Sequence, residues 1–180
     1  MYSKKIVFAL LSVVLAAPAM AERLVISLPD GNNLELTLPV AWKSTHQTSG
    51  PSVTVRLSSA ASADFLVLIT TLPVKAGSPA STPDGLRASV TELGNRALSA
   101  SLQERLELTE IKGQQAIGYL FHMTDRNPEK GPGDYREVHQ GAILLGQQMI
   151  TFTTLTHPGD SVTVDEAKRL LSAAKVSSPH

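Results

Sequence analysis

Large aliphatic and polar residues alternate on both sides of a turn-forming segment, residues 29–33. Pairing Leu28 with Leu34 across that turn would place six aliphatic side chains on one face, because successive side chains of a strand point to opposite faces. The pattern therefore predicts an N-terminal β-hairpin with one buried face. Its six inward-facing residues are Leu24, Ile26, Leu28, Leu34, Leu36 and Leu38.

The hydrophobic pattern changes after this hairpin. Residues 39–51 are mostly polar and are predicted to form a loop, whereas residues 52–58 alternate again and predict a strand. The inward-facing residues of that strand are Val53, Val55 and Leu57. Residues 65–72 are almost continuously apolar, which is typical of a strand buried on both faces. We therefore expect this strand near the centre of a sheet, with cover on each side.

A helix is predicted after the loop formed by residues 73–81. Thr82 offers an N-cap hydroxyl, Pro83 suits the first helical position, and Asp84 complements the helix dipole. Apolar residues then recur at helical spacing up to a predicted end near Ser101. The apolar face consists of Leu86, Val90, Leu93 and Ala97.

A second hairpin is predicted over residues 105–124. Lys112 and Gly113 would form a two-residue turn, which places Leu108 opposite Ile117. The same register places Leu106 opposite Tyr119, and Phe121 and Met123 continue that face.

A third hairpin is predicted over residues 135–157, with Gly146 and Gln147 as its turn. In this register Ile143 lies opposite Ile150, and Leu144 lies opposite Met149. Strands joined by hairpins are antiparallel.

The last predicted element is a helix that begins at a capping box, in which the Thr163 hydroxyl and the Glu166 carboxylate satisfy free N–H groups. Val162 stands at the staple position before this cap. The apolar face consists of Ala167, Leu170, Leu171 and Ala174. Residues 177–180 are predicted to be a frayed tail.

These elements follow the order ββ, ββ, helix, ββ, ββ, helix. Hairpins in this arrangement predict an α+β fold, with a mainly antiparallel sheet covered by helices. Residues 22–176 would form a single domain, since no repeat, charge block or linker divides them.

This layout, together with the Leu-Pro-x-x-Trp segment at residues 38–42, resembles the PsbP-like family, to which bacterial DcrB-type envelope proteins belong. The resemblance covers nearly the whole chain after residue 21 and implies an α/β/α sandwich. It also implies a protein that binds other proteins or supports an assembly, because the family shares no catalytic residues. No site residue is carried over from the family.

Residues 1–21 have the pattern of a secretory signal peptide. Lys4 and Lys5 precede a short apolar run, and Ala19 and Ala21 form a small-x-small cleavage site. Cleavage after Ala21 would direct the protein to the periplasm or the medium. No later apolar run is long enough to predict a transmembrane segment.

Charge and cysteine content exclude several classes of site. The chain has 16 basic and 16 acidic residues, so removal of the two N-terminal lysines leaves a slightly acidic protein without a basic cluster for nucleic acid. With no cysteine, the chain has no disulfide, thiolate zinc site, thiol nucleophile or lipid-bearing cysteine.

Three histidines are the best candidates for metal or base chemistry. His122, His139 and His157 fall on three consecutive predicted strands, and the third hairpin places His139 opposite Thr154. The alternation of the strand would put His139 and His157 on opposite faces. Because no metal-ligand spacing occurs either, we predict no metal site and no cofactor.

The most irregular segment is the predicted loop at residues 125–134. Asp125, Asn127 and Glu129 alternate as in a calcium loop, but Gly131 comes one position late for that motif. We therefore interpret the segment as a solvated connection whose unusual length favours a binding role. The candidate partner-binding residues in it are Asp125, Arg126, Asn127, Glu129 and Asp134.

Trp42 is the only tryptophan and has two interpretations. It is either a plug in the core or at a sheet edge, or an exposed anchor for a partner, a role in which tryptophan is enriched. We include it among the candidate partner-binding residues.

The chain has no serine elbow, no phosphate-binding loop and no free carboxylate pair that would indicate an enzyme. The leading hypothesis is an exported, non-enzymatic binding or accessory protein whose partner is another envelope protein. The alternative is a periplasmic protein that binds a small ligand or a metal, and a hydrolase is a third, weaker hypothesis.

Overall fold

The computed structural model describes residues 21–59, 64–127, 131 and 133–178. The predicted signal peptide, except for Ala21, lies outside these residues. In the described part of the chain, two antiparallel sheets and two helices form the fold. In chain order the elements are β1 (Glu22–Ser27), β2 (Asn33–Leu38), β3 (Trp42–Ser49), β4 (Ser52–Ser59), β5 (Phe65–Pro73), α1 (Pro83–Ala97), β6 (Leu108–Lys112), β7 (Ala116–Thr124), β8 (Glu137–Leu145), β9 (Gln148–Thr156), α2 (Ser161–Ala173) and β10 (Lys175–Ser177).

The main sheet has seven strands in the order β3-β4-β5-β9-β8-β7-β6, and a small sheet has the order β1-β2-β10. One face of the main sheet, here called the inner face, packs with the small sheet and α2 in one hydrophobic core. The opposite, outer face packs with α1 over β7 and β8 in a second core. The fold is therefore the predicted α+β layering.

The strand at residues 65–73 lies inside the main sheet, between β4 and β9. Leu66 and Val67 point to opposite faces and both are buried, which confirms the prediction from the apolar run. Leu68, on the outer face, is only half-buried, since α1 covers β7 and β8 rather than this part of the sheet.

The N-terminal hairpin forms, but its predicted register is wrong by two residues. Ile26, rather than Leu28, lies opposite Leu34, because residues 28–32 form a longer turn closed by the hydrogen bond from Leu28 N–H to Asn32 O (2.7 Å). A shift by an even number of residues leaves the facing of every side chain unchanged, so the predicted inward face is confirmed.

The second hairpin also has a different register from the one predicted. Leu108 lies opposite Phe121, and Lys112 lies opposite Ile117. The two-residue turn is formed by Gln114 and Gln115 rather than by Lys112 and Gly113. Gly113 instead permits close packing, since a Cβ on it would lie 1.8 Å from the Ser172 carbonyl oxygen of α2. The third hairpin has the predicted register, with Ile143 opposite Ile150.

Two segments expected to be irregular are strands. Residues 42–49, part of a predicted loop, form β3 at the edge of the main sheet. Ser177, predicted to begin a frayed tail, ends β10 and donates a hydrogen bond to Glu35 on β2 (2.7 Å). Neither segment alternates hydrophobic and polar residues, because an edge strand needs no buried face of its own.

The two helix starts differ in how well the sequence predicts them. Thr82 caps α1 through its hydroxyl, which accepts from Gly85 N–H (3.1 Å), as predicted. The predicted cap at Thr163 is wrong: the cap of α2 lies three residues earlier, at Asp160, whose carboxylate accepts from Thr163 N–H (3.0 Å). Thr163 is buried instead, and Val162 is exposed rather than acting as a staple.

Candidate binding cleft at the loop end of the main sheet

Polar residues gather at one end of the main sheet, here called the loop end, where β7 passes into β8 through residues 125–136. On the inner face His122 lies directly opposite His139, and Thr124 lies opposite Glu137. Thr156 of β9 is the other neighbour of Glu137. Polar side chains on three adjacent strands therefore form one continuous patch at this end of the inner face.

This patch forms one wall of a cleft of about 400 Å³. The first turns of α2 and the segment that leads into it form the opposite wall. The lining residues are His122, Thr124, Glu137, His139, Thr156, His157, Gly159, Asp160, Ser161, Val164, Asp165 and Lys168.

The Glu137 carboxylate is held by two neighbours on β7. Its Oε2 atom is in hydrogen-bond contact with His122 Nε2 and accepts from the Thr124 hydroxyl (3.0 Å). Thr124 is held in turn by Gln103, whose side-chain amide donates to Thr124 Oγ1 (3.1 Å) and accepts from Thr124 N–H (2.8 Å). The network fixes the position of the carboxylate at the wall of the cleft.

His139 lacks comparable support. Its ring stacks on His122 with the ring centroids 4.5 Å apart, and its Nδ1 atom is buried without a hydrogen-bond partner among the described residues. Burial, followed by the positive charges that His122 and Lys168 can carry, lowers the pKa of His139 to about 4, against the opposing effect of Glu137 and Asp165. His139 is therefore a neutral imidazole at neutral pH.

The helix side of the cleft carries two carboxylates and one ammonium group. Asp160 caps the helix, and Asp165 pairs with Lys168 (Nζ to Oδ1, 3.3 Å). The charge of Lys168 is thus balanced by Asp165 on the same helix. The helix side of the cleft therefore has a net negative charge, as does the Glu137 carboxylate on the sheet side.

The predicted loop leaves the sheet at the edge of this cleft. Asp125 N–H donates to the Arg136 carbonyl (2.8 Å), and the Asp125 carboxylate accepts from Asn127 N–H (2.8 Å). The Arg126 guanidinium donates to the Ser101 carbonyl (3.0 Å), and Asp134 N–H donates to a loop carbonyl. Asp125, Arg126 and Asn127 therefore lie together where the chain leaves β7, and Asp134 lies where it returns towards β8, whereas Glu129 lies outside the described residues. None of these four lines the cleft, and Asp125 borders a smaller pocket on the outer face of the sheet.

Trp42 has a different position. It begins β3, only 6% of its surface is exposed, and its ring lies 4.6 Å from that of Phe65 between centroids. Trp42 is therefore a core residue. Its interpretation as an exposed anchor for a partner is wrong, because its ring is buried and inaccessible to a partner.

The sequence partly indicated the cleft. His139 lies opposite Thr154 as predicted. The placement of His139 and His157 on opposite faces is wrong, because β9 ends at Thr156 and His157 follows it, free of the alternation of the strand, to line the same cleft. No sequence pattern indicated Glu137, Asp160 or Lys168 as site residues.

The part of the chain that the structure describes contains neither a metal-binding cluster nor a membrane-spanning helix. Among the described residues, no group of three or more His, Asp or Glu side chains is arranged to hold a metal ion. No helix among them is long and apolar enough to cross a membrane.

The fold is similar to that of cyanobacterial PsbP (CyanoP) from Synechocystis sp. PCC 6803, known from a solution structure. The TM-score is 0.55 and the sequence identity 16%, over 93% of this chain and 98% of that chain. No protein-family model and no curated protein matches the chain. At this identity the likeness concerns the fold, and the chain has the PsbP-like fold that its order of elements predicts.

Proposed function

We propose that the chain is an exported, non-enzymatic binding or accessory protein, and that its partner is another protein of the bacterial envelope. The partner would bind at the loop end of the main sheet. One observation carries this proposal: Thr124 and Glu137, between which the connection of residues 125–136 runs, both line the cleft.

Hydrogen bonds hold the backbone in place at this end of the sheet, which supports a binding role for it. Binding residues commonly stand on loops that a rigid scaffold positions. Here Gln103 ties the connection after α1 to β7, and Arg126 ties the loop to the carbonyl of Ser101. A connection of this length between adjacent antiparallel strands exceeds what a simple turn requires.

Site-specific photocrosslinking tests the proposal. A photoreactive amino acid at Asn127 or Asp134 in the exported full-length chain should capture the same envelope protein from both positions. Gln114 and Gln147, in the turns at the opposite end of the main sheet, are the matched controls and should not capture it. Identical products at all four positions, or none at any, would contradict the proposal.

Export is a separate part of the proposal and has its own measurement. Protein recovered from the periplasm should begin at Glu22, as the pattern of residues 1–21 predicts. An intact N-terminus on the recovered protein would contradict it.

A second candidate function, the binding of a small ligand, is favoured by the cleft itself. It holds a fixed carboxylate, Glu137, beside an imidazole without a hydrogen-bond partner at Nδ1, His139. Such convergence of polar groups in a recess is common at ligand sites. A specific ligand at 100 times its dissociation constant should add ~2.7 kcal/mol to the free energy of unfolding, which a thermal-shift screen detects.

A further inference from the structure

Glu137 is a carboxylate without a permanent counter-charge among the described residues. Its side chain is 15% exposed, and the one ion-pair partner it has there is His122, which is charged only when protonated. Oε2 is in hydrogen-bond contact with His122 and Thr124, while Oε1 accepts no hydrogen bond from the described residues and is not one of their buried, unpartnered atoms. The carboxylate is therefore held in place through Oε2, and Oε1 can accept a further hydrogen bond from the cleft.

The surrounding charges favour a positive ligand. Three carboxylates line the cleft, namely Glu137, Asp160 and Asp165, against the single ammonium group of Lys168, which Asp165 already pairs. His139 adds no charge at neutral pH because it stays neutral. An anion would be repelled by this excess of negative charge, whereas a cation could pair with Glu137 and donate a hydrogen bond to its Oε1 atom.

The size of the cleft and the arrangement of its side chains favour a nitrogen cation over a metal ion. Its volume of about 400 Å³ exceeds what a bare ion needs, and no three ligands among the described residues are arranged around a metal position. N–H donors on a cationic nitrogen form short, charge-assisted hydrogen bonds to carboxylates. The neighbouring imidazoles add flat, partly apolar surface beside that carboxylate.

We propose that the cleft binds a cationic nitrogen group, an ammonium or a guanidinium, that donates hydrogen bonds to Glu137. This inference rests on the proposed function and specifies the chemistry of its partner. Two sources carry such a group: a lysine or arginine side chain of a protein partner, or a free amine such as agmatine or spermidine.

Titration followed by NMR tests the inference on the chain from residue 22 onward. The probes are agmatine, spermidine, and the blocked tripeptides Gly-Arg-Gly and Gly-Lys-Gly, with Gly-citrulline-Gly and inorganic phosphate as the uncharged and anionic controls. We expect saturable shifts at the amides of residues 122–124, 137–139 and 160–168, with the cationic probes alone. Saturation by free amines with weak tripeptide binding would identify a small-molecule source, and the reverse would identify a protein side chain.

A pair of variants locates the interaction. Glu137→Gln keeps the shape of the side chain and removes its charge, so the cationic probes should bind at least about tenfold more weakly. Glu92→Gln makes the same change of charge on the exposed face of α1 and should leave the affinity within twofold of the wild type. Equal affinities in the two variants would overturn the inference.

The titration of the wild-type protein tests cation binding in the cleft even if Glu137→Gln fails to fold. Shifts outside the cleft, equal binding of the citrulline peptide, or no saturable shift would each overturn the inference. Photocrosslinking that still captures one partner at the loop would then leave the proposed function standing. Cation binding in the cleft without any captured partner would support the inference and contradict the protein-binding proposal.

Discussion

The neutral His139 imidazole should make the folded protein sensitive to mild acid. Its pKa is lowered to about 4 by burial, helped by His122 and Lys168 and opposed by Glu137 and Asp165. These four neighbours come from β7, β8 and α2, while β9, on the other side of β8, places the uncharged Thr154 opposite His139. The unfolded chain binds the same proton near the ordinary histidine value of 6.5.

The sign of the effect follows from proton linkage. Because the unfolded state takes up the proton at higher pH than the folded state, protonation favours unfolding as the pH falls from about 6.5 towards 4. The stabilising contribution is complete above pH 6.5 and lost below that window. A change from pH 7 to pH 5 crosses about 1.5 pH units of this window and would cost about 2 kcal/mol for a ring shielded from water. The open side of the cleft screens the charge and reduces the expected loss to about 1–2 kcal/mol.

Urea denaturation at pH 7 and pH 5 measures this loss. His139→Phe keeps an aromatic ring against His122 and removes the titrating group, so its free energy of unfolding should fall by about 1–2 kcal/mol less than that of the wild type. His46→Gln, on the exposed edge strand, is the matched control and should follow the wild-type profile. Parallel pH profiles for the wild type and His139→Phe would refute the reasoning.

Three further variants test the fold, each by urea denaturation at neutral pH. Asp160→Ala removes the cap of α2 and should cost about 1 kcal/mol, whereas Glu166→Gln should cost nothing measurable; equal losses would restore the capping box predicted from the sequence. Gly113→Ala should cost about 1–3 kcal/mol because its methyl group would overlap the Ser172 carbonyl, and a neutral result would mean that α2 lies further from this turn. Leu171→Ala should cost about 2–5 kcal/mol because the side chain is fully buried under the main sheet, and a loss below 1 kcal/mol would contradict that packing.

Elements with a buried face could be predicted from the sequence, because burial on one side imposes alternation. The N-terminal hairpin illustrates this, since its register was wrong by two residues while its inward face was right. The third hairpin turns at Gly146 and Gln147, and Gly146 has the positive φ that marks such a turn in the sequence, which is why that register was predicted correctly. The second hairpin turns at Gln114 and Gln115, which carry no such mark.

Elements without such a face could not be predicted. Strand β3 is an edge strand that is largely exposed beyond Trp42, so its polar sequence resembles a loop. Strand β10 is three residues long and depends on β2 for its hydrogen bonds, notably that of Ser177 with Glu35. Strand β10 forms because the distant strand β2 offers backbone partners, which is a condition of tertiary structure. Strand β3 pairs with β4 across the turn at Gly50 and Pro51, so it belongs to a local hairpin that its polar sequence does not reveal.

Some contacts in the cleft are likewise set by the local sequence, and others by the tertiary structure. The position of His139 against Thr154 follows from a two-residue turn and is readable from the sequence. The position of His122 against His139 depends on the register of β7 and β8, which the long connection between them leaves open. The contribution of α2, with Asp160 as its cap, requires the packing of that helix under the sheet.

That dependence explains why the predicted loop and the unpredicted cleft adjoin. Any segment that joins β7 to β8 must leave from Thr124 and return near Glu137, which are the residues that build one wall of the cleft. The length of this connection leaves the register, and therefore the cleft, unreadable from the sequence. A partner that inserts a cationic side chain towards Glu137 would reach the strand ends between which the connection runs, so photocrosslinking at Asn127 and titration at Glu137 probe neighbouring parts of one end of the sheet.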